Sequence, residues 1–241
     1  MNRIVIVGDT HGIKDAGKIK RLQESDKKLD YGDYIIICGD AGIVWSKETL
    51  KESIEFYEKF GTNILFVDGN HENFDMLKEY KKEKWNGGDV HRISEHIIHL
   101  MRGQVFNICG KTFFTMGGAD STDKEDRVEH ETWWKDEKIG LYDRIMSLYL
   151  NDLDEKYNGK VDYVITHTLP TSMVKELEKV LTQCGEDVPY FLQNKMKITE
   201  SNEALESILK DIEFKHCYCG HFHIDETMGK YTILYQNIVE L

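Results

Sequence analysis

Short apolar runs alternate with longer amphipathic stretches through the first third of the chain. Arg3–Val7 is a β-branched run closed at once by Gly8 and reads as a buried strand. Asp33–Cys38 and Asn63–Asp68 repeat that pattern, while Lys18–Leu29 and Lys47–Phe60 carry helical periodicity, the former with a solvated basic face. Strands alternating with helices of this length predict βαβ units and a parallel sheet. The mixed-charge run Lys78–Trp85 reads as a solvated helix rather than a nucleic-acid patch. Beyond it, Ile97–Leu100, Val105–Cys109 and Lys111–Met116 lie close together, with a turn at Cys109-Gly110-Lys111, and predict antiparallel hairpin structure. A polar, aromatic-bearing excursion comes next at 118–140, then a helix to about Tyr157. Strand Tyr163–Thr166, helices near Thr171–Thr182 and Asn202–Ile212, strand Lys215–Cys219 and a hairpin through Met228-Gly229-Lys230 complete the pattern. The expected outcome is two packed sheets with helices outside, the second more antiparallel than the first.

Composition narrows the function classes. The 241 residues include 31 Lys+Arg against 43 Asp+Glu, a net charge of −12 at pH 7. A hydrophobic content of 40% supports a sizeable core and excludes wholesale disorder. The length suits one α/β domain over residues 1–241. No apolar run approaches the roughly 18 residues of a membrane span, so no membrane partner is expected. The run Ile4–Val7 is too short for the apolar part of a secretion signal. Cys38, Cys109, Cys184, Cys217 and Cys219 are odd in number and scattered, which suits a reducing, cytoplasmic location. Cys217 and Cys219 read as core packing, with their thiols expected on opposite faces of a strand. An acidic chain repels nucleic acid at long range, so phosphate chemistry here needs a local source of positive charge.

The residues at the ends of the strands supply one. Asp9 and His11 come after the first strand, Asp40 after the second, and Asn70-His71-Glu72 after the third. His167 comes after Tyr163–Thr166, and His221 and His223 after Lys215–Cys219. About thirty positions separate Asp9 from Asp40 and Asp40 from Asn70, one βαβ unit each. Parallel strands therefore bring these residues to one sheet edge, at the strands' carboxyl ends, where open α/β sheets bind ligands. The flanking glycines, Gly8, Gly39, Gly69 and Gly220, permit tight turns that aim the neighbours inward. Asp9, His11, Asp40, Asn70, His167, His221 and His223 are all oxygen or nitrogen donors, and the absence of cysteine argues against a closed structural zinc site. Seven donors exceed the needs of one tetrahedral ion and suit two ions sharing a carboxylate. The donor mixture fits two divalent ions drawn from Mn, Fe, Co or Zn. Taken singly, Asp9 could be a helix cap and Asn70 a turn residue; jointly with the histidines, the metal reading prevails.

In this order, Asp9-x-His11, Gly39-Asp40, Gly69-Asn70-His71-Glu72, a lone His167 and Gly220-His221-x-His223 resemble the motifs of the calcineurin-like metallophosphoesterase superfamily, and Asp120, Lys124, Arg127 and Trp133-Trp134 in a loop after the hairpin resemble its small bacterial and phage-type members. The resemblance implies an α/β fold, a four-layer αββα sandwich of two mixed β-sheets flanked by helices, with a dinuclear site at the strands' carboxyl ends. It implies that Asp9, His11, Asp40 and His223 hold one metal ion. Asp40, bridging, would hold the other with Asn70, His167 and His221. His71 would contact the phosphate and protonate the leaving group. The implied activity is hydrolysis of phosphate mono- or diesters by a metal-bridging hydroxide attacking in line.

Departures from the pattern bear on the substrate. The Ser/Thr protein phosphatase branch continues its second motif as Gly-Asp-x-x-Asp-Arg-Gly, but here Ile43 and Val44 replace the Asp and the Arg. Arg127, in the 118–140 excursion with Asp120, Lys124, Trp133 and Trp134, is a candidate for gripping substrate phosphate instead. The two tryptophans read as packing of the excursion against the body. His91, His96, His99, His130 and His216 fit no ligand spacing and read as surface or hydrogen-bonded structural residues. A protein phosphatase and a non-catalytic scaffold of the same fold remain the alternatives; nucleic acid is not an expected partner.

Overall fold

The computed structural model describes residues 2–145, 157–183 and 188–241. Its first part runs β1 (Ile4–Val7), α1 (Gly17–Gln23), β2 (Tyr34–Ile37), α2 (Lys47–Glu58), β3 (Asn63–Phe66), α3 (Phe74–Glu79), β4 (Lys82–Trp85), β5 (Gly88–Arg92) and β6 (Ile97–Leu100). Then come β7 (Gln104–Ile108), β8 (Lys111–Met116), β9 (Lys160–Thr166), α4 (Thr171–Gln183), α5 (Tyr190–Lys195), α6 (Glu200–Leu209), β10 (Glu213–Cys219), β11 (Glu226–Met228), β12 (Tyr231–Ile233) and β13 (Val239–Glu240). The helix expected to reach Tyr157 is helical at 141–145; its remainder at 146–156 lies outside the described residues, as does Cys184.

β1 is buried on both faces because it lies between two layers. Val5 and Val7 pack outward with Ile35, Ile37, Ile64 and Phe66 against Ile19 of α1 and Tyr57 of α2. Ile4 and Ile6 pack inward with Ile36 and Leu65 against Phe106, Phe113, Ile165 and Tyr218 of the second sheet. The far face of that sheet carries Phe114, Val164 and Cys217 under Leu205, Ile208 and Leu209 of α6. The layers are thus helix, sheet, sheet, helix, with strand orders β13-β1-β2-β3-β6-β5-β4 and β11-β12-β10-β9-β8-β7.

Several expectations are corrected. β6 leaves the predicted hairpin and joins the first sheet, parallel to β3 with Ile64 opposite Ile97. Its four residues are all buried, which a central strand needs and a hairpin arm facing solvent does not. The second sheet is mixed, as the resemblance implies, but it is not the more antiparallel of the two, since β8, β9, β10 and β12 pair in parallel. Lys78–Trp85 is not one helix: α3 stops at Glu79, and Lys82–Trp85 is an edge strand antiparallel to β5. Its alternating burial and its lysines are how exposed edges resist further pairing. α1 is shorter than its pattern, and Lys18 is buried rather than on the solvated face. Cys217 and Cys219, two residues apart on β10, share a face, and Tyr218 between them points to the inter-sheet core. The histidines outside the motifs are hydrogen-bonded as expected, His91 to His99, His99 to Asp68, His96 to Asn63, His130 to Asp75 and His216 to Thr232.

The 118–140 segment is pinned to the body by Arg102. Its guanidinium donates to Asp68 Oδ2 at 2.6 and 2.8 Å and to the backbone carbonyls of Asp136, Glu137 and Lys138. Burial alone would raise the Asp68 carboxyl, but Arg102 and then His99 outweigh it and hold the group well below the usual carboxylate range. Asp68 therefore stabilises the fold above its unfolded pKa of about 3.9, and that contribution is lost as pH falls from there toward the folded pKa. Arg102→Met leaves the buried Asp68 carboxylate with only His99 as a side-chain partner and is expected to cost about 3–5 kcal/mol in urea unfolding at pH 7. The cost should shrink as the pH approaches 3; an unchanged midpoint at pH 7 would refute the anchoring role.

Candidate metal centre

The carboxyl ends of β1, β2 and β3 meet those of β9 and β10, so both sheets deliver residues to one edge. The turns leaving these strands are tight. Among the described residues eight non-glycine positions have positive φ, and four of them are His11 (43°), Asp40 (47°), His221 (69°) and His223 (55°). Left-handed backbone at non-glycine residues costs free energy and clusters at functional sites. Close approach explains two of the flanking glycines better than φ does. A Cβ on Gly69 would lie 2.2 Å from Asp40 Oδ1, and one on Gly220 would lie 2.4 Å from Asp9 Oδ2.

All seven sequence-predicted donors converge. Asp9, His11, Asp40 and His223 each offer an atom within 4.8 Å of the others'. On the other side of Asp40, His167 Nε2 lies 3.2 Å from Asp40 Oδ1 and 3.2 Å from Asn70 Oδ1. His221 Nδ1 lies 3.1 Å from that same Asn70 oxygen. Asp40 therefore stands between two groups, reaching His11 Nε2 with Oδ2 at 3.2 Å and His167 with Oδ1. Asp40 Oδ2 and His223 Nε2 are nevertheless buried without a well-directed hydrogen bond. Buried polar atoms aimed at a common point and left unpaired are what a site built for cations presents.

Neighbours orient these groups. Asp15 accepts from His11 Nδ1 at 2.8 Å, and the Cys38 carbonyl accepts from His167 Nδ1 at 2.8 Å, so both Nε2 atoms face the site. Asp9 accepts the His221 backbone N–H. Glu72, wholly buried, accepts the Ala41 N–H at 2.9 Å and fixes the turn after Asp40. Burial, with Asp40 and Asp68 nearby, pushes Glu72 well above its usual range.

The electrostatics reflect burial and mutual charge. Burial would raise Asp40, but His167, His71 and His11 hold it well below the ordinary carboxylate range. His167 is opposed by burial yet raised to about 9 by Asp40. Burial lowers His221 well below its ordinary value and His223 to about 3, leaving both imidazoles neutral. Burial likewise lowers His71, to about 4, with Arg127 adding to the effect.

His71 sits beside these groups, its backbone N–H on Asp40 Oδ1 at 2.8 Å and its ring 5.2 Å from that of His11. Arg127 reaches the site from the excursion, its guanidinium 3.3 Å from His71 Nε2 and paired with Asp123. Ile43 and Val44 are fully buried in the outer core of the first sheet and present nothing to it. Trp134 is buried edge-on against Trp45 and donates to Asp75, so it packs the excursion as expected. A cavity of about 470 Å³ opens beside the centre, lined by His11, His71, His223, Trp45, Lys14 and Tyr235 among others.

Sequence reasoning misses several residues here. Lys18 donates to the Asp9 and Tyr235 carbonyls, Lys195 of α5 donates to the His221 carbonyl, and Ser121 receives a hydrogen bond from Asn70. No spacing rule pairs such residues, because their partners are brought together only by the packed fold.

A family model for calcineurin-like phosphoesterases matches residues 2–225. The chain belongs to that family. It is accordingly a phosphate-ester hydrolase of a class that depends on two metal ions, and the donor cluster around Asp40 is its candidate centre. Among solved structures, a phosphopantetheinyl hydrolase from Mycobacterium tuberculosis is similar at 14% identity over 96% of this chain and 88% of that one, with a TM-score of 0.43. No curated protein matches the chain. No helix among the described residues is long and apolar enough to cross a membrane.

Gly69→Ala tests the crowding at Asp40. A methyl group driven into that carboxylate is expected to cost about 1–3 kcal/mol. The melting temperature should fall accordingly; an unchanged one would refute the close approach.

Proposed function

We propose that the chain hydrolyses phosphate mono- or diesters at a dinuclear centre in which Asp9, His11, Asp40 and His223 hold one ion and Asp40, Asn70, His167 and His221 the other. The single observation that carries this reading is Asp40, buried between two donor sets with an oxygen toward each. Oxygen and imidazole donors without thiolate suit Mn, Fe, Co or Zn. Two such ions, when bound, would supply a nucleophile at neutral pH and offset the charge that builds on the phosphate oxygens.

The chain's own groups do the rest. Asp15 and the Cys38 carbonyl hold His11 and His167 in the tautomer that turns Nε2 inward. His71 is the proton donor to the departing oxygen: burial keeps its imidazole neutral, and an anionic phosphate beside it favours the imidazolium that donates. Arg127 grips the phosphate where Val44 leaves no guanidinium. The adjoining cavity accommodates the leaving group or the second substituent of a diester. Burial of Ile43 and Val44 speaks against a protein-phosphatase-like phosphate clamp, and a full set of converging donors speaks against a scaffold that has lost them. Free Cys38, Cys109, Cys217 and Cys219 support a cytoplasmic location.

With Mn²⁺, turnover of bis-p-nitrophenyl phosphate and p-nitrophenyl phosphate is expected. Asp40→Asn should abolish it, and His71→Ala should lower kcat by about 10²–10⁴, most for poor leaving groups. A chain that binds two ions yet hydrolyses neither ester with Mn, Fe, Co or Zn would overturn the reading of a general phosphoesterase in favour of a narrow substrate requirement or a binding module.

Metal uptake should also depend on pH with a defined sign. Raised to about 9 by Asp40, His167 is protonated at neutral pH, and Mn²⁺ must displace that proton. Apparent affinity is therefore expected to rise through pH 7–8 and level off above about 9, with proton release in calorimetry across buffers of different ionisation enthalpy. A pH-independent affinity over that range would refute the assignment.

A further inference from the structure

The excursion supplies a hydrogen-bond chain to the centre that no motif contains. Glu137 is wholly buried in it, and its two oxygens take both donors of Ser121: Oε1 the backbone N–H at 2.6 Å and Oε2 the hydroxyl at 2.7 Å. A serine hydroxyl has one proton. Once that proton is given to Glu137, Oγ can only accept, and it accepts from Asn70 Nδ2 at 3.2 Å. The NH₂ of Asn70 is thereby committed to Ser121, and its Oδ1 is turned toward His167 and His221. All three residues are buried, so solvent does not compete for these groups.

We infer that Ser121 and Glu137 are positioning residues that fix the Asn70 carboxamide with its oxygen toward the second ion. The inference rests on the proposed ligand role of Asn70. Its physical content is polarity: an amide is nearly symmetric in shape, and a rotation of 180° would present NH₂, which cannot ligate a cation. The Glu137 end is itself held in place, since its carbonyl accepts from Ala119 N and from Arg102, the residue that anchors the excursion. Groups that orient a ligand in this way typically contribute 10–100-fold in metal affinity.

Glu137→Gln separates polarity from shape. The backbone N–H of Ser121 is a fixed donor, so the glutamine oxygen must face it and the glutamine NH₂ must face Oγ. That arrangement frees the hydroxyl proton to point at Asn70 and favours the wrong amide orientation. Mn²⁺ titration of the full chain, monitored by calorimetry and electron paramagnetic resonance, is expected to show two ions for the unaltered protein. Glu137→Gln and Ser121→Ala should each weaken one ion by about 10–100-fold and leave the other unchanged, while Ser121→Thr, which keeps the hydroxyl, should restore binding to within a few-fold. Melting temperatures without metal identify any variant that merely fails to fold, and Ser121→Thr against Glu137→Gln then decides between polarity and packing. Asn70→Ala is the control for the underlying assignment and should lose the same ion. If Asn70→Ala loses it but Glu137→Gln and Ser121→Ala do not, the positioning role is overturned and the ligand assignment stands. If Asn70→Ala keeps both ions, the ligand assignment fails and the positioning role fails with it.

Discussion

Asp40 is a carboxylate with no access to water, ringed by imidazoles, and the structure around it is organised to keep it charged. Burial favours the neutral acid, yet His167, His71 and His11 hold the group ionised. Cations and hydrogen-bond donors must therefore approach it closely from several segments. Only a turn that departs from ordinary strand geometry can bring each one in. The left-handed backbone at His11 and Asp40 and the missing side chain at Gly69 answer that demand, and left-handed His221 and His223 with the missing side chain at Gly220 do the same beside Asp9. Such strain persists only where surrounding packing over-determines it, and two sheets buried on both faces provide that packing.

The same demand explains why the site draws on both sheets. The first sheet contributes Asp9 and His11 after β1, Asp40 after β2 and Asn70 after β3, and the second contributes imidazoles from the ends of β9 and β10. Parallel pairing puts the carboxyl ends of β1, β2 and β3 at one edge. Parallel β9 and β10 do the same for the histidines. The inter-sheet core of Ile4, Ile6, Ile36, Leu65, Ile165 and Tyr218 then fixes the distance between the two donor sets.

Much of this was legible from residue order alone. β1, β2 and β3 are short, apolar on both faces and closed by glycine, so composition and punctuation agree on them. The donors were legible because each comes directly after a strand, and strand order implies their meeting. Other features depend on partners distant in sequence. β6 resembles a hairpin arm until β3 pairs with it, and Lys82–Trp85 is a strand only because β5 lies beside it. Lys18 has the pattern of a solvated helix face, but the Asp9 and Tyr235 carbonyls capture its amine. Ser121 and Glu137 look like ordinary loop residues, and only their shared burial beside Asn70 marks them.

The acidity of the chain and its phosphate chemistry are compatible once distance is considered. Exposed charges are screened beyond a Debye length of about 8 Å at physiological ionic strength, so the net −12 acts weakly on a small ester at the centre. The cationic groups close to the centre include Arg127, Lys195 and Lys18, besides the ions the donors are arranged to hold. Replacement of the phosphatase-type Asp and Arg by buried Ile43 and Val44 sharpens the point. The turn after β2 serves the core in this chain, and the cation near His71 comes instead from an excursion that also touches Asn70 through Ser121. On the proposed roles of Arg127 and Asn70, phosphate contact and metal-ligand orientation depend on one segment, and whatever displaces it disturbs both.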